Sequence, residues 1–256
     1  MVFSLKDSWA KVDRAAFHLS EVYRSFDGFI DGDLLDIPIL NKADHQRGCI
    51  SVAVKELPVD SIGVGLVLGD AIHNYRSCLD YLWWQIATLH IGDEPTIQQA
   101  PKIQFPILSN ENDWGSQRYF KFVPLDKVYF IKKYQPFAQG VEGCSALEGL
   151  REISNHDKHR NLYPVIAKAR SSNFINSSDR GMTPVAFDLP DVIDVGTEVI
   201  RFKVDLEGLD VKYAITGSFK AYLAVQNNWN ILELLTAVDK QCRAMLKEAE
   251  FMFRRN

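Results

Sequence analysis

Cysteine is scarce in this chain: four residues among 256, at positions 49, 78, 144 and 242. None form the C-x-x-C spacing of a zinc knuckle or redox motif, so Cys49, Cys78, Cys144 and Cys242 are expected reduced and mostly buried, as small core residues. Long apolar runs are missing too. The most apolar stretch, 62–68, is far short of the roughly 20 residues a bilayer span needs. The first seven residues, Met1-Val-Phe-Ser-Leu-Lys-Asp7, lack the apolar core of a secretory signal. The expectation is a cytoplasmic protein with no membrane partner. There is no excess of positive charge: 29 basic residues face 33 acidic ones, for a net charge of −4. That balance argues against a broad electrostatic grip on a nucleic-acid backbone, and leaves room only for a local basic site. Neither internal repeats nor low-complexity segments occur.

What is there is an ordinary globular composition, 46% apolar and 24% charged, enough to bury a sizeable core. Apolar residues recur at steps of three and four over 8–26, through Trp9, Val12, Ala16, Leu19 and Tyr23, with Asp7 or Ser8 available as N-cap. Two strand-like runs, 34–40 and 49–55, predict a hairpin. The longest helical pattern covers 59–90. Further helices are expected at 125–134 and at 145–159, where Ser145 and Glu148 match a capping box, and an amphipathic one at 228–253. Between 163 and 225 β-branched and aromatic residues alternate with turn signals, and 171–181 reads as a mobile loop. The expected fold class is α+β: about four main helices, near 8–26, 59–90, 145–159 and 228–253, with an antiparallel sheet from the C-terminal half. These parts read as one interleaved domain over 1–256, with a helical motif-bearing part at 58–165, a β-rich part at 163–226 and the C-terminal helix at 228–253.

Two segments are chemically dense. On the long helix, Gly69-Asp-Ala-Ile-His-Asn-Tyr-Arg-Ser-Cys-Leu-Asp-Tyr81 places His73, Arg76 or Ser77, and Asp80 on one face over two turns. An imidazole, a guanidinium or hydroxyl, and a carboxylate can thus converge; the alternative is a buried polar network tying the helix to its neighbour. The glycines at 65 and 69, each costing about 1 kcal/mol in a helix interior, point to close approach of another backbone. The second segment, Leu150-Arg-Glu-Ile-Ser-Asn-His-Asp-Lys-His-Arg-Asn161, carries two of the six histidines. Helix ends also collect cations because their carbonyls favour them.

The order His-Asn-x-Arg-Ser-x-Leu-Asp, then Phe105-Pro-Ile, Gln135-Pro-Phe and Asp157-Lys-His-Arg160 resembles a group of bacterial proteins of similar length, over residues 58–165. In that group position 81 is commonly His, giving an Arg-x4-His spacing similar to the signature of HEPN (higher eukaryotes and prokaryotes nucleotide-binding) helical domains. This chain departs there with Tyr81; a second Arg-x4-His runs from Arg151 to His156. The resemblance implies metal-independent RNA cleavage across a dimer interface, without a cofactor. It makes Arg76 and Arg151 candidate phosphate clamps and His73, His156 and His159 candidate proton carriers. Asp80 or Asp157 would orient an imidazole. Asn74, Ser77, Tyr81, Lys158 and Arg160 are candidate substrate contacts. The expected partner is RNA or a nucleotide, and the expected assembly a homodimer through the glycine-bearing helix. With Tyr81 where the base would stand, the fold could instead serve as a binding module.

Two other readings compete. His73, the pair His156-Asp157 and an acidic residue on the last helix, such as Asp239, have in order the ligand types of HD-type metal phosphohydrolases. A non-enzymatic interaction or sensing protein would use the same polar residues only to hold helices together. Gly63-x-Gly65-x-x-x-Gly69 lacks the G-x-G-x-x-G spacing of a dinucleotide loop, and Ser77 lacks the context of a nucleophile elbow. Trp83, Trp84, Tyr75 and Tyr81 read chiefly as core, with base stacking as their alternative use.

Overall fold

A computed structural model describes residues 3–26, 30–31, 34–44, 48–56, 61–91, 103–117, 120, 123–138, 145–157, 165–176, 183–185, 193, 195–203, 215–225 and 229–253. It is a mixed helix-and-sheet fold, α+β. Five α-helices are described: α1 (Lys6–Ser25), α2 (Ser61–Ile91), α3 (Leu125–Lys133), α4 (Ala146–Asp157) and α5 (Ile231–Phe253). Eight strands are described: β1 (Ile30–Asp31), β2 (Leu34–Asp44), β3 (Cys49–Val54), β4 (Val165–Asn176), β5 (Thr183–Val185), β6 (Glu198–Lys203), β7 (Ile215–Val225) and β8 (Trp229–Asn230). The chain folds into two compact units, each assembled from separate stretches: 1–22, 65–162 and 232–256 form one, 23–64 and 163–231 the other.

The second unit is an antiparallel sheet of order β4-β7-β2-β3-β6-β5, with β1 on β2 and β8 on β7. The expected hairpin is present, with Ile39 opposite Val54 and Asp44 opposite Cys49. It does not stand apart from the C-terminal strands: β2 pairs β7 from Leu35↔Ala221 to Pro38↔Ser218, and β3 pairs β6. The sheet therefore draws on residues 30–54 as well as the C-terminal half. Local alternation identified those strands, but their other partners, β7 and β6, lie over 140 residues away in sequence, beyond any local pattern. The stretch 171–176, expected in a mobile loop, is strand. Ser171 pairs with Lys220 and Asn176 with Ile215, after an irregularity between Ala167 and Ser171. The Ser/Asn composition marks turns on average, but here long β7 supplies a ladder that satisfies this backbone. Gly217 lies in regular register opposite Phe174. Backbone φ is positive at Gly48, φ 61°, and at Gly196, φ 82°, and the Gly196 N–H donates to Val54 O at 2.9 Å.

The first unit is helical. Its core is built from Val12, Ala15 and Leu19 of α1, Tyr75, Leu79, Leu82 and Trp83 of α2, Leu147, Leu150 and Ile153 of α4, and Leu235, Val238, Met245 and Leu246 of α5, all buried. Polar ties run across it. Trp9 Nε1 donates to Glu250 at 2.8 Å. Arg243 bridges Asp13 and Asp239, and Lys133 and Tyr134 both reach Glu248. α4 crosses α5 closely, since a Cβ on Gly149 would lie 2.6 Å from Leu234 Cδ1. Ser145 precedes α4 as expected, but its hydroxyl is buried without a described partner. Glu148 turns from the cap to Ser109 Oγ at 2.5 Å, so the capping box is not formed.

Candidate functional site

Residues 103–108 lie within this helical unit in neither helix nor strand, and among the described residues they take no strand partner. Buried backbone amides and carbonyls need partners, and here side chains supply them. Arg76 Nη2 donates to Phe105 O at 2.6 Å, and Phe105 N donates to Asp80 Oδ1 at 2.8 Å. The two side chains are themselves paired at 3.1 Å, one turn apart on α2. Gln135, fully buried, accepts from Leu108 N at 2.9 Å and donates to Pro106 O at 2.9 Å. Three of the four motifs that order the resemblance, around Arg76-x-x-x-Asp80, Phe105-Pro-Ile and Gln135-Pro-Phe, thus meet in one backbone clamp. Burial lowers the Arg76 pKa from its ordinary value, and Asp80 opposes that shift. These contacts occupy Arg76 Nη2, the candidate phosphate clamp, with a carbonyl and a carboxylate.

One turn earlier the same helix behaves differently. His73 is exposed, and its Nε2 lies 3.5 Å from Ser77 Oγ. Asp157, the last residue of α4, projects over Gly69. A Cβ there would stand 3.1 Å from Asp157 Oδ1. Gly69 thus admits a side chain of the same molecule, where close backbone approach or a dimer contact was expected. The Asp157 carboxyl is held above its ordinary pKa by desolvation, with Asp70 adding to the rise and His73 and His156 opposing it. His73, His156, Asp70 and Asp157 therefore share one electrostatic neighbourhood. The expected meeting of the α2 polar face with the segment beginning at Asp157 holds for Asp157. Lys158, His159 and Arg160 lie outside the described residues, as does Cys144.

The remaining expected residues divide between these surroundings. Asn74 is buried, donates to Asp70 O at 2.8 Å and accepts from Lys11 Nζ at 3.3 Å. Tyr81 is 43% exposed and faces α1, with Lys11 Nζ 5.8 Å from its ring centroid. Arg151 lies 3.7 Å from Glu148, away from the described contacts of His73. Trp83 and Tyr75 are buried core residues, at 2% and 0% exposure.

The four residues of the HD-type reading do not come together. Asp239 accepts from the Tyr75 hydroxyl at 3.2 Å and from Arg243 at 2.9 Å. Tyr75 is about 200° around α2 from His73, on the opposite face. Among the described residues no group of three or more His, Cys, Asp or Glu is arranged to hold a metal ion, and no helix is long and apolar enough to cross a membrane. Cys49, Cys78 and Cys242 are buried and free. Contact with Cys78 and burial push the Cys242 thiol pKa up.

The sequence reading missed the α1 side of this surface. Ser4, Asp7, Lys11 and Arg14 recur at steps of three and four and line a cleft with Tyr81 and Trp84. That polar stripe is visible in the sequence, but without the fold it is indistinguishable from a solvated helix face. No protein-family model, no curated protein and no solved structure matches this chain.

Proposed function

We propose that this protein acts on RNA or a nucleotide, and that the imidazole and carboxylate cluster where α4 meets α2 carries the chemistry. The observation that carries the reading is the seating of Asp157 over Gly69, in the electrostatic field of His73 and His156. Imidazole is the side chain whose ordinary titration lies between pH 5 and 8, and a neighbouring carboxylate orients it and stabilises its cation. The reaction class is transesterification of a ribonucleotide phosphodiester. The ribose 2′-oxygen forms a bond to phosphorus, the bond from phosphorus to the 5′-oxygen breaks, and a 2′,3′-cyclic phosphate and a 5′-hydroxyl result. His73 takes the 2′-hydroxyl proton and His156 returns a proton to the leaving oxygen. Lys158 and Arg160, which with His159 follow Asp157 directly in sequence, are the cations this reading assigns to the phosphate charge.

Incubation with RNA in excess chelator tests this. Cleavage to 2′,3′-cyclic phosphate ends that resists chelation and falls at least 100-fold in His73→Ala supports the reading. Absence of cleavage, or cleavage indifferent to the substitution, overturns it.

The interaction or sensing reading keeps one specific support, the Arg76, Asp80 and Gln135 clamp, whose polar groups hold the backbone of 105–108. It expects those residues to govern melting alone, with no turnover at His73.

A further inference from the structure

The cleft between α1 and the middle of α2 is a separate feature from the His73 cluster. Its volume is about 730 Å³, inside the roughly 300–1,000 Å³ typical of small-molecule sites. Three properties of its lining point to one kind of ligand. Tyr81, 43% exposed, and half-buried Trp84 stand one turn apart on α2 and both line the space. Aromatic faces in such a position suit a planar ring. From α1, Lys11 and Arg14 also line it. Lys11 touches Asn74 Oδ1 at 3.3 Å and Arg14 lies 5.1 Å from the Phe17 ring, but among the described residues neither meets a carboxylate. Of the two acids in the lining, Asp80 is bound to Arg76 and Phe105 N, which leaves Asp7 alone against two cations. Last, Ser8 lines the cleft at 1% exposure, and its hydroxyl has no described partner. A buried unpaired hydroxyl costs about 1–3 kcal/mol, a cost that a ligand atom accepting from it would relieve.

We infer that this cleft binds a nucleoside monophosphate, free or as the terminal unit of an RNA, with the base against Tyr81 and Trp84 and the phosphate between Lys11 and Arg14. The choice of a nucleotide among planar anions rests on the function proposed above. The binding itself needs no catalysis, so its failure is distinguishable from the failure of cleavage at His73.

The test is calorimetric titration of the full chain with adenosine monophosphate, adenosine, inorganic phosphate and a 5′-phosphorylated ribotrinucleotide. Adenosine monophosphate is expected to saturate one site, with adenosine and phosphate at least tenfold weaker. The Lys11→Ala/Arg14→Ala pair should weaken the monophosphate at least tenfold and spare adenosine, whereas Tyr81→Ala should weaken both. A trinucleotide tighter than the monophosphate assigns the cleft to an RNA end, and a weaker one to a free nucleotide. Ser8→Ala guards against misfolding: it should melt at the same or a higher temperature while losing affinity severalfold. No saturable binding of the monophosphate overturns the inference. So does affinity unmoved by the Lys11, Arg14 and Tyr81 substitutions in proteins that melt like the wild type.

Discussion

Two polar regions lie one turn apart on α2 and are built on opposite principles. At Arg76 and Asp80 every described contact is spent inside the molecule: the guanidinium holds a carbonyl, the carboxylate holds an amide, and the two hold each other. At His73 the imidazole is exposed, its one described hydrogen bond is long, and Asp157 from another helix is held in a partly desolvated place beside it. Charged residues on a helix face do not by themselves mark a site. The informative difference is whether their hydrogen-bonding capacity is consumed by the fold or left for something else.

The largest expected effect that would sharpen this contrast is on the consumed side. Asp80→Ala strips Phe105 N of its acceptor and leaves the mostly buried Arg76 without its counter-ion, for an expected loss of about 2–4 kcal/mol. Chemical denaturation measures it. Arg76→Met/Asp80→Ala should be less destabilised than the sum of the single variants, because the second change removes the stranded charge. Additive losses would mean that the two residues do not act as one clamp.

Gly149→Ala comes next. Its Cβ would sit 2.6 Å from Leu234 Cδ1, and such overpacking costs about 1–3 kcal/mol, visible as a lowered melting temperature. Gly69→Ala should differ. The neighbouring atom is the Asp157 carboxylate at 3.1 Å, a side chain at a helix end that can swing aside. The gain in helix propensity of about 1 kcal/mol offsets the crowding, and the melting temperature should stay close to wild type. A fall as large as that of Gly149→Ala would show that the α4 end is as tightly fixed as the α4–α5 crossing.

The smallest effect concerns pH. Desolvation raises the folded-state pKa of Asp157, so its neutral form is favoured by the fold. The stability it contributes is full below the unfolded pKa and is lost as pH rises through the folded value. Asp157→Asn should therefore match wild-type stability in acid and exceed it slightly near neutrality. The reverse order, with the variant weaker at neutral pH, would mean that the electrostatic attraction of His73 and His156 outweighs burial.

Much of the fold was legible because its signals are local. The apolar periods of α1, α2 and α5 and the alternation of β2 and β3 identify those elements. The central place of β2 in the sheet was not legible, since nothing near Leu35 announces Ala221 as its partner. Of the candidate site, the seating of Asp157 on the α2 polar face was readable from two dense segments in an otherwise plain chain. The role of Arg76 was not. Its sequence context looks the same whether the guanidinium awaits a phosphate or holds Phe105 O, and the contact with the segment at 103–108 is visible only in the fold. Lys11 and Arg14 were missed for a related reason, because a polar stripe acquires meaning only when a cleft opens beside it.

The central claim is that the exposed half of this polar face does chemistry while the buried half does architecture. It is tested most directly by the rate of chelator-resistant RNA cleavage in His73→Ala, measured on protein whose melting temperature is recorded beside it. The account predicts that cleavage falls at least 100-fold while stability stays within about 0.5 kcal/mol of wild type, as expected for an exposed side chain. An unchanged rate, or a loss that merely follows a collapse in melting temperature, would contradict it.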